Sequence, residues 1–222
     1  MILGINKKLI CGLAIGTFSA LAFASAAFSQ AEKAAAAKQL KVTGAKLLVD
    51  DFEKASKNNL LGGLWQVEID KNKVGTTMTN MAKFIVPGGA NGSKYSGEIT
   101  GHFGKMVAPW PFASINTSLD SSGGPVDLSQ FSAVEFMAKG DGKSYVFLVY
   151  VSQVKDFAHF RMSFVAPKVW TKIHVDLKKL VQPDWGVKVK ADYHSVLELL
   201  FAPLTLNDES YDLAIDDVTL VK

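Results

Sequence analysis

Cysteine and arginine are almost missing from this 222-residue chain: one of each occurs, Cys11 and Arg161, against 23 lysines. A single thiol excludes an internal disulfide and a thiolate-rich metal site. An excess of charge of one sign is lacking too, because the net charge is only +3. Nothing in that balance points to nucleic acid.

The one long apolar run, Leu9 to about Phe23, follows Lys7 and Lys8 and ends in the small-residue stretch "AFASAAFSQA". That order predicts a secretory signal peptide over residues 1–29, cut after Ala26 or Ser29. The alternative is an uncleaved anchor, since the run approaches the ~20 residues a membrane span needs. Cys11 leaves with the signal, and Lys8 stands three positions before it, where a lipid-anchoring box needs an aliphatic residue. Loss of two lysines leaves 22 basic and 21 acidic residues, a net charge of +1, with no cysteine and no membrane span. The expected location is therefore exported, periplasmic or extracellular, and the ~180 remaining residues suffice for one core.

Residues 30–45 contain "QAEKAAAAKQLK", a good helix former without a broad apolar stripe, expected as a linker or short exposed helix. From residue 46 to 222 the texture changes to short β-branched and aromatic runs punctuated by Gly, Pro, Asn and Asp. Eleven such runs with no long helical pattern between them predict an all-β fold, an antiparallel β-sandwich. Alternation assigns faces. In "AHFRMSF" Phe160, Met162 and Phe164 point inward, and His159, Arg161 and Ser163 outward. In "SVLELLF" the core row is Leu197, Leu199 and Phe201, with Glu198 opposite; in "SYVFLVYVS" Tyr150 shares a side with Val146 and Leu148. Whether Tyr150 meets His159 depends on register.

Catalytic signatures are sparse. "GGANGSKYSG" has the glycines of a phosphate loop, but its lysine is followed by tyrosine and no helix pattern comes after, so it reads as a turn. His102, His159, His174 and His194 lack zinc-helix spacing. Glu98, Glu135 and Glu198 could supply a glycosidase pair only if folding brought two of them within ~5 to ~9.5 Å. The sequence gives no positive sign of an enzyme; a glycan-active enzyme is the third reading.

The segments "VDDFE", "LGGLWQVEID" with "VGTT", "VDLSQFSAVEFMAKGDGKSYVFLV", "VWTKIHVDLKKL" and "YDLAIDDVTLV" together resemble the complex I intermediate-associated protein 30 family. They are also similar to family 11 carbohydrate-binding modules, and both are galactose-binding-like jelly rolls. The resemblance spans about Leu47 to Val221 and implies that fold. It implies two different roles, respiratory-complex assembly or glucan binding, and a shared fold does not choose between them. Relatives of the carbohydrate-binding kind hold a structural calcium ion with acids of the first and last strands; the matching acids here are Asp51, Glu53, Asp216 and Asp217. Calcium suits such an oxygen-rich corner. The other account is a solvated acidic face paired with Lys46 or Lys222, each pair worth at most about 1 kcal/mol.

Saccharides are held by aromatic rings on their CH faces and polar groups on their hydroxyls. Ring candidates are Tyr95, Trp110, Tyr150, Trp185 and Tyr193, with Trp110 and Trp185 in the turns "APWPFA" and "QPDWGV"; polar candidates are His159, Arg161 and Glu198. Trp65 and Trp170 are expected in core or edge packing. Arg161 brings a planar fork of donors that no lysine can imitate. Where family 11 modules carry tyrosines on the concave face, this chain has Glu198, Phe201, Arg161 and Ser163, so the tyrosine platform is thinned. The leading expectation is an exported, non-catalytic module that binds carbohydrate or glycan; the runner-up binds an envelope protein partner as an assembly factor.

Overall fold

A computed structural model describes residues 36–70, 77–78, 83–104, 112–204 and 208–222, all within the unit Ala35–Lys222. The expected signal peptide and Trp110 lie outside the described residues. Fourteen strands follow in order: β1 Lys38–Gln39, β2 Lys46–Asp50, β3 Trp65–Ile69, β4 Thr77–Met78, β5 Ile85–Pro87, β6 Tyr95–His102, β7 Ala113–Ser118, β8 Val126–Asp127, β9 Ala133–Gly140, β10 Ser144–Val151, β11 Phe160–Val165, β12 Thr171–Asp176, β13 Val196–Pro203 and β14 Ser210–Val221. Between them, among the described residues, the only helical segments are short 3-10 turns, and no helix is long and apolar enough to cross a membrane.

Two seven-stranded sheets result. In one, β3, β7, β13, β10 and β11 run side by side and antiparallel, with β8 at the start of β13 and β1 parallel to β8. In the other, β12, β9, β14 and β6 are adjacent; β2 pairs with the far end of β14, and β4 and β5 pair with β6. Part of the expected 30–45 linker is thus strand: Lys38 donates its N–H to Pro125, and Leu40 is buried.

The core is the aromatic-rich space between the sheets. Phe136 of β9 packs on Phe147, Phe164 and Phe201 of the opposite sheet, with ring centroids 5.9, 5.2 and 4.9 Å away. Such pairs add about 0.5–1.5 kcal/mol beyond the area they bury. Trp65 is buried, as expected, against Phe52 and Phe201; Trp170 is half-buried just before β12. Inward alternation holds on β10 and β11, but the ladder slips between Tyr150 and Val151. Val196, not Leu197, is consequently the buried residue that opens the β13 core row.

Candidate functional site

Antiparallel register, which sequence alone does not give, builds the outer face of the β3–β7–β13–β10–β11 sheet. One cross-strand row runs Gln66, Asn116, Leu200, Leu148, Arg161. At ~4.8 Å between strands it is about 19 Å long. The neighbouring row runs Ser118, Glu198, Tyr150, and Tyr150 stacks flat on His159, centroids 3.7 Å apart and planes 16° apart. Glu68 and Ser114 face each other on the other side of the first row. Tyr150, His159, Arg161 and Glu198 therefore do share one face.

Electrostatics distinguish the members. Only 7% of His159 is exposed, because the Tyr150 ring covers it, which corrects the expectation of a surface histidine. Burial pulls its pKa down to about 4, against a weaker pull upward from Asp156, so the ring is neutral at neutral pH. Burial pushes the Glu198 carboxyl up; a 2.8 Å bond from Asn116 Nδ2 opposes this and Glu68 adds to it. The Tyr150 hydroxyl is also raised, first by burial and then by Glu198 and Glu68.

Three buried polar atoms on this side of the molecule, Ser114 Oγ, Asn116 Oδ1 and His159 Nδ1, have no hydrogen-bond partner among the described residues. Each such atom costs about 1–3 kcal/mol. Arg161 is half-buried, and among the described residues no carboxylate pairs with its guanidinium; its backbone is fixed by reciprocal bonds with Val181 at 2.9 and 3.2 Å. Ser114 and Asn116 escaped the sequence reading, although the alternation of "FASINTSL" marks them as an outward polar row.

Other candidates lie elsewhere. Trp185 is 54% exposed on the loop after β12. Tyr95 belongs to the opposite sheet, and Tyr193 donates its hydroxyl to the Leu177 carbonyl at 2.7 Å while packing edge-on against Phe160. Glu98 and Glu135 are on the outer side of the other sheet, opposite Ala214 and Thr219 of β14. Five residues of strand separate those positions by about 15 Å, and Glu198 lies across the core, so these three do not make a glycosidase pair. His102, His174 and His194 sit 3.0, 3.2 and 3.0 Å from Asp208, Glu135 and Asp127. Two shallow depressions mark the same outer side, one around Lys46, Glu135 and Lys172, the other around Trp170, Lys139, Glu98 and Asp212.

Of the acids proposed for calcium, strand alternation puts Asp51 and Glu53 on one side with only one of Asp216 and Asp217 able to face them; the structure separates Asp51 from Glu53. β2 ends at Asp50 and Phe52 turns through φ +56°, so Asp51 serves as acceptor for the Glu53 N–H at 3.2 Å. Glu53 reaches the glycine-rich turn, accepting from Ser93 Oγ, Lys94 N and Tyr95 N at 2.7, 2.7 and 3.1 Å. Asp216 is fully buried and holds the same turn through Ala90 N at 2.8 Å, whereas the Asp217 carboxylate, past a bulge at φ +50°, accepts from Asn91 Nδ2 at 3.4 Å. Tyr95 O and Asp216 Oδ2 crowd the place a side chain on Gly89 would need, with Ser93 Oγ 3.1 Å from Tyr95 O. That oxygen set suits calcium chemically. Among the described residues, however, no three acidic, histidine or cysteine side chains form a metal group, so the hydroxyl and carbonyl would have to complete it.

Solved structures that resemble this fold include carbohydrate-binding modules. A family 11 module of Clostridium thermocellum in complex with a β-1,3-1,4-mixed-linked tetrasaccharide superposes with a TM-score of 0.55 at 17% identity, over 79% of this chain and 95% of that one. The family 11 module of the C. thermocellum cellulase Lic26A-Cel5E gives 0.56 at 18%, over 82% and 96%. A family 30 module from a cellulase of the same organism gives 0.52 at 14%, over 80% and 97%. At these identities the likeness establishes the fold. The chain belongs to the complex I intermediate-associated protein 30 family, whose sequence model matches residues 96–212. No curated protein matches it.

Proposed function

We propose that this protein is an exported, non-catalytic module that holds a carbohydrate chain across the outer face of β3, β7, β13, β10 and β11. One observation carries the reading: an arginine that has no carboxylate partner among the described residues shares that face with buried polar atoms that also lack partners among them. Hydroxyl groups of a sugar can accept from half-buried Arg161; Asn116 Oδ1, Ser114 Oγ and His159 Nδ1 are covered and would meet a hydroxyl only where the side chains over them move aside. Leu148 and Leu200 give an apolar floor for CH groups. The carbohydrate-binding sandwiches of the same fold support the reading. Isothermal titration against neutral soluble polysaccharides, mixed-linked β-glucan among them, tests it. Saturable binding is expected; no heat with any of them refutes it.

A partner-binding role is the second reading, favoured by family membership and by exposed Phe157, Val181, Trp185 and Val187. Calcium is proposed only for the corner made by Glu53, Ser93, Tyr95 and Asp216, where it would neutralise two carboxylates and fasten the turn. Melting with calcium and with a chelator checks this by mass action.

A further inference from the structure

Phe157 is a bulky residue held at φ +65°, a backbone region that L side chains avoid, and its side chain is 66% exposed. Folding gains little from such a residue: the backbone is strained and the ring is not buried to offset it. Strain of this kind persists only where surrounding contacts over-determine it, and it gathers at functional sites.

The contacts are specific. Asp156 Oδ1 accepts from Ala158 N at 3.2 Å and its Oδ2 from Val187 N at 2.6 Å. Gln182 Nε2 donates to the carbonyls of Ala158 and Val187 at 2.8 and 3.1 Å, and Gln182 Oε1 accepts from Val189 N at 2.8 Å. Gly186, at φ +83°, lies so close to Ala158 and Asp156 that a methyl group there would collide with both. These bonds lace the Phe157 loop to the loop carrying Trp185. The Phe157 ring meets His159 edge-on at 6.5 Å, and His159 stacks on Tyr150. The row Ser118, Glu198, Tyr150, His159 therefore continues to an exposed ring at the rim, with His159 Nδ1, which has no partner among the described residues, at the junction.

We infer that Phe157 and Trp185 form an aromatic extension of the binding face, stacking on sugar rings beyond those that meet Arg161. The inference rests on the glycan-binding reading. The protein accordingly takes chains longer than a tetrasaccharide better than short ones. Pre-set, exposed aromatic side chains of this sort are effective anchors, because little freedom is lost on binding.

The test titrates the protein, Phe157→Gly, Trp185→Ala and Arg161→Ala with mixed-linked β-glucan, xylan and galactomannan, and with oligosaccharides of four and eight units from whichever polymer binds. Phe157→Gly is expected to weaken polymer and octasaccharide binding at least fivefold and leave the tetrasaccharide within twofold, with a melting temperature no lower than that of the parent. Trp185→Ala should show the same length-selective loss. Parental octasaccharide affinity in both variants, beside a loss in Arg161→Ala, overturns the extension and leaves the face as the site. A melting temperature several degrees lower in Phe157→Gly also overturns it, because the ring would then be structural. Binding of no polysaccharide by the parent removes the extension and the glycan reading together. A concentration-dependent dimer abolished by Trp185→Ala would assign the rim to a second copy instead.

Discussion

Arg161 is placed by Val181 on its backbone and, among the described residues, by no charge on its side chain, so stability and binding should separate there. Arg161→Ala is expected to change unfolding free energy by no more than about 0.5 kcal/mol. The loss of charge-assisted hydrogen bonds worth roughly 1.5–3 kcal/mol should weaken saccharide binding about ten- to a hundredfold. Parallel calorimetry and denaturant melts check the pair. Asp50 is the converse. It accepts from Trp65 Nε1 at 2.7 Å and Phe52 N at 3.1 Å inside the core; burial raises its pKa, opposed by those two bonds. Asp50→Ala would strand two buried donors and should cost about 2–4 kcal/mol in a urea melt. The three neighbouring acids at the end of the first long strand thus have three separate duties: Asp50 seats Trp65, Asp51 caps Glu53, and Glu53 holds the glycine-rich turn.

At the scale of elements, the turn that includes residues 90–92 and leads into β6 is gripped from two sides with opposite pH behaviour. Burial raises the pKa of Asp216 to about 6 despite the N–H groups of Ala90 and Asp217. Its stabilising contribution is complete below the unfolded value near 3.8 and is lost as pH rises through about 6. Exposed Glu53 is held below its ordinary value, first by the Ser93 hydroxyl, and its contribution is lost as pH falls through that lowered pKa. Between pH 6.5 and 4.5 Asp216 dominates this turn, while His159, held down to about 4, costs a similar amount elsewhere over the same window. Asp216 protonation in chelator-treated protein should therefore show as a ramp of roughly 2 kcal/mol in the difference between the parent and Asp216→Asn. If calcium binds the corner, it keeps Asp216 ionised, so excess calcium should flatten that ramp. Chemical denaturation at several pH values, with and without calcium, gives the comparison.

For the molecule as a whole, the export proposal predicts a chain that begins between Ala27 and Ala31 when recovered from outside the cytoplasm. N-terminal sequencing of that material checks it; a species still starting at Met1 contradicts it. Charge at this scale bears on the ligand too. Glu68 and Glu198 outnumber the lone Arg161 on the binding face, so neutral chains should bind better than polyuronates, and added salt should narrow the gap.

The strands, the sandwich and the outward side of strands such as "AHFRMSF" were legible because alternation has a period of two and is written locally. The same local rule misplaced Leu197 and the Asp51–Glu53 pair, since a slipped ladder and a positive φ at Phe52 reset the period. Everything that makes the face a candidate site came from pairing between distant segments: Tyr150 over His159, Asn116 against Glu198, and the Phe157 loop laced to the Trp185 loop. Side-chain direction follows from the pleat of a single strand, which the sequence by itself determines. Register and loop contact follow from which strands share a sheet and how their ladders are offset, and only the tertiary structure decides these.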